Sequence, residues 1–399
     1  MYGIPKMQKE KKDETHSRSK TMRSIYIMGF VFSIALALPL YINSSYLNDY
    51  VSDKYIGLIY TLGSIISFFM LIFMPKILSQ FGNYKTSLAF TTLTAILMFA
   101  LTYFTQLYII APIFVIYLSL LTLIFFNFDI FLEKYSNDGE TGGVRGTFLT
   151  ITNLAILASP IIAGSILTNG DYWKIYLIGA IFMSGLSLLL VSNFKNFKDP
   201  KYDQVPFINT LKLIWENKDM RSVFLANMLL RFFYAWMTIY TPLYLHEHIG
   251  FDWSQIGIMF TVMLLPFVLF ELPAGKLADS KFGEKEMLII GFLIIAISTA
   301  SITLIDGQIF WLWALVLFIT RIGASMVEIM TETHFFKHVD GTDTDVIGFF
   351  RNNRPVAYTI APLIASFILI FTDFEYLFLI LGIFMLFGMY ISTQIKDSK

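Results

Sequence analysis

The chain has 399 residues and no net charge, with 29 Lys and Arg against 29 Asp and Glu; 56% of it is hydrophobic and only 15% charged. With 40 Phe, 21 Tyr and 6 Trp, it is too apolar for a water-soluble protein of this length, and its charge balance excludes an electrostatic nucleic-acid binder. Cysteine is absent, which excludes thiol catalysis, disulfides and Cys-ligated metals.

A helix that crosses a bilayer needs about 20 mostly apolar residues. After a tail of mixed charge at 1–23, the sequence offers twelve such stretches: 24–47, 55–75, 86–104, 107–132, 146–168, 173–193, 221–245, 253–274, 286–305, 308–334, 346–371 and 374–393. A polar linker at 194–220 separates the first six from the last six, and 394–399 forms a second tail. The expected fold class is all-α integral membrane, with twelve transmembrane helices in two six-helix pseudo-symmetric bundles at 24–193 and 221–393. A β-barrel is excluded, because the runs are too long and do not alternate with a period of two. Ala35-Leu36-Ala37 mimics a signal-cleavage site, but cleavage there would leave eleven spans.

Charge placement sets the expected orientation, since basic residues near helix ends stay in the cytoplasm. Counting from the N-terminus, and assigning Arg221 and Lys174 at the edges of their stretches to the adjoining polar segments, the odd-numbered polar segments hold 23 of the 29 Lys and Arg, while the even-numbered ones hold only Lys54 and Lys174. Both termini of this multi-pass cell-membrane protein are therefore expected in the cytoplasm. The four basic residues left over, Arg231, Arg321, Arg351 and Arg354, fall inside apolar segments.

The two halves carry matching landmarks. Gly82 in LSQFGNYK and Gly283 in DSKFGEKE each follow the second segment of a set of six, and Pro160 in SPIIAG and Pro362 in APLIAS each lie in the fifth. The offsets agree within one residue, as an internal duplication requires.

The six-plus-six layout and GKLADSKFGEK, Gly275 to Lys285, resemble the major facilitator superfamily of transporters. Its signature between helices 2 and 3 and between 8 and 9 reads Gly-x-Leu-Ala-Asp-x-x-Gly with flanking basic residues. The first-half copy, MPKILSQFGNYK, is degenerate, with Leu78 where the aspartate would stand. The resemblance implies a gate latch built from Gly275, Asp279, Gly283, Arg351 and Arg354. Gly275 allows close helix packing, Gly283 permits a tight turn, and Asp279 faces the N-terminus of the eleventh helix. Glu271, in E-x-P-x-G, is read as a support of that latch.

Ionisable residues inside a span are costly and hence functional candidates. The seventh segment carries Asn227, Arg231, Tyr234 and Thr238, and the tenth carries Arg321, Ser325, Glu328 and Glu332. Both sets are spaced i, i+4, i+7, i+11, which places each on one helix face. The fourth segment adds Thr122, Asp129 and Glu133. In the family, helices 1, 4, 7 and 10 line the central cavity, although the first segment here offers little beyond Tyr26, Ser33 and Tyr41. Arg231 and Arg321 fall near mid-span, with Asn227, Tyr234, Thr238 and Ser325 as further substrate-binding candidates. Asp129, Glu133, Glu328 and Glu332 lie closer to the cytoplasm and are candidates for proton or ion coupling. Only Glu328 and Asp129 are near enough to compensate the two arginines, and both lie nearer the cytoplasm; the alternatives are an intramembrane ion pair, for example with Glu328, and an anionic group on the substrate that supplies the missing partner. Phe232, Phe233 and Trp236 are read as packing or lipid-facing residues.

Enzyme chemistry finds little support. His334 and His338 in HFFKH have metal-helix spacing but no acidic companion motif, His246 and His248 invite the same caution, and no phosphate-binding loop is present. The expectation is a non-enzymatic secondary transporter moving a small solute by alternating access, without cofactor or metal, as a monomer in lipid. A proton is the candidate coupling ion and an organic anion the candidate substrate. The competing readings are a multidrug or lipid-like exporter and a non-transporting receptor or scaffold on the same fold.

Overall fold

A computed structural model describes residues 4–135, 141–167, 170–199, 202, 207–270, 283–337 and 349–395. Fourteen α-helices cover most of them: α1 (Ile4–Leu40), α2 (Asn43–Asn48), α3 (Asp53–Phe81), α4 (Asn83–Tyr103), α5 (Leu107–Tyr135), α6 (Thr141–Ile166), α7 (Tyr172–Phe194), α8 (Phe207–Glu216), α9 (Lys218–Leu243), α10 (Trp253–Leu269), α11 (Glu284–Ser301), α12 (Phe310–Lys337), α13 (Asn353–Ile368) and α14 (Tyr376–Ser392). Each of the twelve apolar stretches contains one of these helices, and α2 and α8 are short additions. Among the described residues, eight helices are long and apolar enough to cross a bilayer, and Thr150–Ile166, Trp253–Leu269 and Tyr376–Ser392 form shorter apolar helices. Outward-facing Ile181, Leu188, Phe387 and Tyr390 are exposed, as a face that meets lipid rather than water requires.

Helix ends follow local chemistry. The 24–47 stretch divides because α1 reaches Pro39, whose ring has no N–H to donate. The chain then turns into α2, where Asn43, Ser44 and Ser45 are buried. Asn217 caps α9 by accepting from the backbone N–H groups of Asp219 and Met220, and Asp252 with Gln255 forms a capping box on α10.

The helix contacts fall into two sets with one pattern. In the first set α1 packs on α5, α6 and α7, α4 on α5 and α7, and α3 on α5. In the second, α9 packs on α12, α13 and α14, α11 on α12 and α14, and α10 on α12. Replacing each helix of the first set by its counterpart in the second reproduces every one of these pairs. Between the sets, α3 meets α13 and α6 meets α10, and these two pairings are also counterparts of each other.

This correspondence extends to single atoms. A Cβ on Gly57 would lie 2.4 Å from the Pro362 carbonyl oxygen, and one on Gly257 would lie 2.4 Å from that of Pro160. The Thr61 hydroxyl donates to the Thr359 carbonyl at 3.0 Å, and the Thr261 hydroxyl to the Leu157 carbonyl at 3.4 Å. Glycine is required at positions 57 and 257 because backbone approaches backbone there. These contacts use the opening turns of α3 and α10, so the two sets are held together at that end of the molecule.

The glycines after α3 and before α11 differ. Gly82 has φ +78°, a left-handed conformation that favours glycine, whereas Gly283 has φ −81° and ψ 167°, open to any residue. The tight-turn role expected of Gly283 is therefore not observed.

Candidate functional site

Helices α9 and α12 are antiparallel, as their cross-links show: Asn227 donates to the Thr331 hydroxyl at 3.0 Å, Arg231 pairs with Glu328 at 2.9 Å, and Tyr234 donates to Glu328 at 2.7 Å. Residue numbers rise on one helix as they fall on the other. Arg231 also reaches Glu332 at 3.3 Å, and the same Glu332 oxygen accepts from Arg351 at 2.9 Å. A continuous chain of charge thus runs from Arg351 through Glu332 and Arg231 to Glu328, ending on the Tyr234 hydroxyl. Asn353 extends it on the polar side, donating to Asn227 Oδ1 at 3.3 Å and to the Phe224 carbonyl at 3.2 Å.

One open alternative is decided by this geometry. Arg231 does not lack a partner, since it is held by two carboxylates. Side chains lean toward the N-terminus of their own helix, so on antiparallel helices the arginine and the glutamates lean toward one another and close the gap that axial spacing suggests. Arg351, assigned to the latch, is also bonded to Glu332 at 2.9 Å, which ties it to the Arg231 pair. Arg354 lies over the Tyr358 ring at 5.6 Å. Gly275, Asp279, Glu271 and His338 lie outside the described residues, and so does any latch contact they make.

Arg321 differs from Arg231. It is 2% exposed, and no carboxylate pairs with it among the described residues. Its guanidinium lies over the rings of Phe233 at 4.9 Å and Tyr234 at 5.4 Å, while its buried Nη1 has no hydrogen-bond partner. Tyr41, from the other helix set, packs its ring 4.8 Å from Phe260 of α10. Cation–π contact replaces part of the hydration an arginine loses on burial, but it satisfies no N–H.

The remaining candidates divide. Thr238 is buried at 5% exposure on the α9 face. The Ser325 hydroxyl donates to the Ile322 carbonyl of its own helix at 2.9 Å, which engages its proton and removes it as a free donor. Asp129 lies half-buried on α5, which also carries Glu133. Phe232, Phe233 and Trp236 are buried and pack inside the bundle rather than against lipid. His334 is bonded to Glu284 at 2.8 Å in a buried pair, and His248 lies 3.7 Å from Asp53 across the two sets. No group of three or more His, Asp or Glu is placed to hold a metal among the described residues.

The Major Facilitator Superfamily model matches residues 24–339 and 223–395. The chain belongs to the Major Facilitator Superfamily. Crystal structures of the nucleoside transporter NupG, one of them of a point mutant, share the fold: the mutant superposes with TM-score 0.76 over 94% of this chain and 100% of its own. The other gives 0.74 over 94% and 98%, and both are 14% identical to this chain. No curated protein matches the chain by sequence.

For a member of this superfamily, some positions carry information that sequence alone conceals. The first-half signature lacks its aspartate at Leu78, yet a carboxylate stands close by. Asp199, from the linker, accepts from the Asn83 backbone N–H at 2.6 Å at the N-terminus of α4 and from the Tyr202 hydroxyl at 2.5 Å. A Cβ on Gly82 would strike that carboxylate, so the glycine and the aspartate form one device. Half-buried beside this bond, the Tyr202 phenol is pushed well above its ordinary pKa, first by desolvation and then by Asp199. Nothing in the composition of the linker singles out Asp199, because the contact joins residues 116 positions apart.

Proposed function

We propose that this protein is a secondary transporter that moves a small organic solute with an anionic group by alternating access, coupled to protons, with both termini and the 194–220 linker in the cytoplasm. The observation that carries the reading is the pairing of a half-buried charge chain with a buried second arginine, two turns away, on which no carboxylate lies among the described residues. Family membership supports transport, and the two matching helix sets, 24–193 and 221–393, supply two bodies that can rock about a seam.

The roles divide along that pairing. Glu328 and Glu332 hold Arg231 and Arg351, and a proton taken by either carboxylate removes its negative charge and loosens its arginine. That makes the chain the candidate coupling element, with Asp129 and Glu133 as candidates on the facing helix. Arg321 is the candidate substrate anchor, with Tyr234, Asn227 and Thr238 on the facing surface. NupG is a nucleoside transporter, but a nucleoside has no anionic group and would leave Arg321 without an ionic partner, so the reading favours an acid.

The test is uptake into proteoliposomes under an imposed pH gradient. Accumulation of an organic acid that collapses with a protonophore supports the reading. Uptake indifferent to the gradient, or restricted to neutral and cationic solutes, refutes it.

A further inference from the structure

We propose that the buried Arg321 guanidinium binds the acid group of the substrate, and that the substrate is a singly charged organic acid with a planar apolar body, an aromatic monocarboxylate. The inference rests on the transport reading above and narrows it to one class.

Charge balance sets the valence. In the chain of charge, Arg231 and Arg351 are matched by Glu328 and Glu332, so those four residues sum to zero. Arg321, with no carboxylate on it among the described residues, keeps one uncompensated positive charge. It stands seven residues from Glu328 on the same helix, about 10 Å along the axis, too far to share that carboxylate. One buried positive charge accepts one negative charge. A dianion would place a second charge against the Phe233 and Tyr234 rings, whose faces repel an anion.

The donor geometry selects the group. Buried polar atoms are almost always hydrogen-bonded, so the unsatisfied Nη1 of Arg321 points to an acceptor that arrives from outside the protein. A carboxylate is the acceptor that matches a guanidinium edge with two parallel bonds. The surroundings select the body. Phe233 and Tyr234 flank the guanidinium. These two rings favour a flat apolar partner stacked against or edge-on to them.

The experiment is a thermal-shift titration of the purified full chain in detergent with benzoate, 4-hydroxybenzoate and phenylacetate, each beside its amide, with phthalate and uridine as further arms. The expected result is that at least one acid raises Tm in a saturable way while its amide does not, and that phthalate binds at least tenfold more weakly. Arg321→Gln should abolish the shift and Arg321→Lys should weaken it by tenfold or more, because Lys keeps the charge and loses the fork. The comparison of acid with amide needs only the wild-type protein, so misfolding of a variant does not blunt it. The inference is overturned if amides or uridine match the acids, if phthalate binds as well as the monoacids, or if no acid shifts Tm. Proteoliposome uptake separates the two readings: an acid that binds without being carried refutes transport and keeps the site, whereas uridine carried without any acid binding refutes the site and keeps transport.

Discussion

Arg231 and Glu328 meet at 2.9 Å across two antiparallel helices, with the Tyr234 hydroxyl on the second carboxylate oxygen at 2.7 Å. Both charged side chains keep some exposure, 17% and 23%, so the pair is neither dry nor fully screened. Breaking a fully buried pair costs about 3–5 kcal/mol; with this exposure the expected loss for Arg231→Gln is about 1–3 kcal/mol. The double variant Arg231→Met with Glu328→Leu should recover most of the lost stability, while proton-driven uptake stays abolished. Thermal denaturation of the three proteins checks this, and a double variant less stable than either single one would show that the pair is not the unit of interaction.

Glu328→Gln should separate coupling from carriage. The amide keeps the Tyr234 contact and the shape but cannot exchange a proton, so exchange of labelled substrate across the membrane should persist while accumulation against a pH gradient disappears. Equal loss of both would place Glu328 in substrate binding.

The seam gives a third expectation. Gly57→Val and Gly257→Val should each push the helix sets apart, because each added Cβ meets a carbonyl oxygen. The chain has no cysteine, so a lone Cys at Ser366 can report accessibility. Its labelling by a membrane-impermeant thiol reagent should rise at least severalfold in the Gly57 variant. Unchanged labelling would mean that the seam yields elsewhere.

Topology is a fourth. Reporter fusions after Lys399 and within 194–220 should read cytoplasmic, and one between Glu247 and Trp253 external. An external C-terminus would remove the twelve-span arrangement.

A pH effect follows from Asp49, which lies between α2 and α3. Burial first, and then the charge of Glu247, raises its carboxyl above the ordinary range, with His246 acting in the opposite sense. A raised pKa in the folded state means that ionisation opposes folding. The favourable contribution is full below the unfolded value near 3.9 and is lost as pH rises through the folded value. Asp49→Asn should therefore raise Tm at pH 7 more than at pH 4. A larger gain at acid pH would reverse the assignment.

The twelve apolar runs were legible because length and hydropathy fix a spanning helix with little help from tertiary structure, and the landmarks at Gly82 and Gly283 or Pro160 and Pro362 made the duplication readable. The stripes on α9 and α12 were readable for the same reason: Arg231 and Glu328 face each other because periodicity chose their faces. What axial spacing could not show was the lean of the side chains, which brings Arg231 to Glu332 as well and leaves Arg321 as the arginine without a carboxylate. Asp199 was beyond reach because its partner is distant in sequence and its own neighbourhood is ordinary linker. Gly283 was misread because a motif suggested a turn that its φ of −81° does not need.

The chain of charge from Arg351 to Tyr234 lies wholly within one helix set, while the hydrogen bonds that tie α3 to α13 and α6 to α10 run from a hydroxyl to a carbonyl. Parting those helices therefore separates no opposite charges there, and each bond surrendered is worth only about 1 kcal/mol. A hinge of this kind is cheap to open, and with the partly exposed Asp53–His248 contact at 3.7 Å as an ionic element across the two sets, the rate of rocking should follow lipid composition and temperature more than salt.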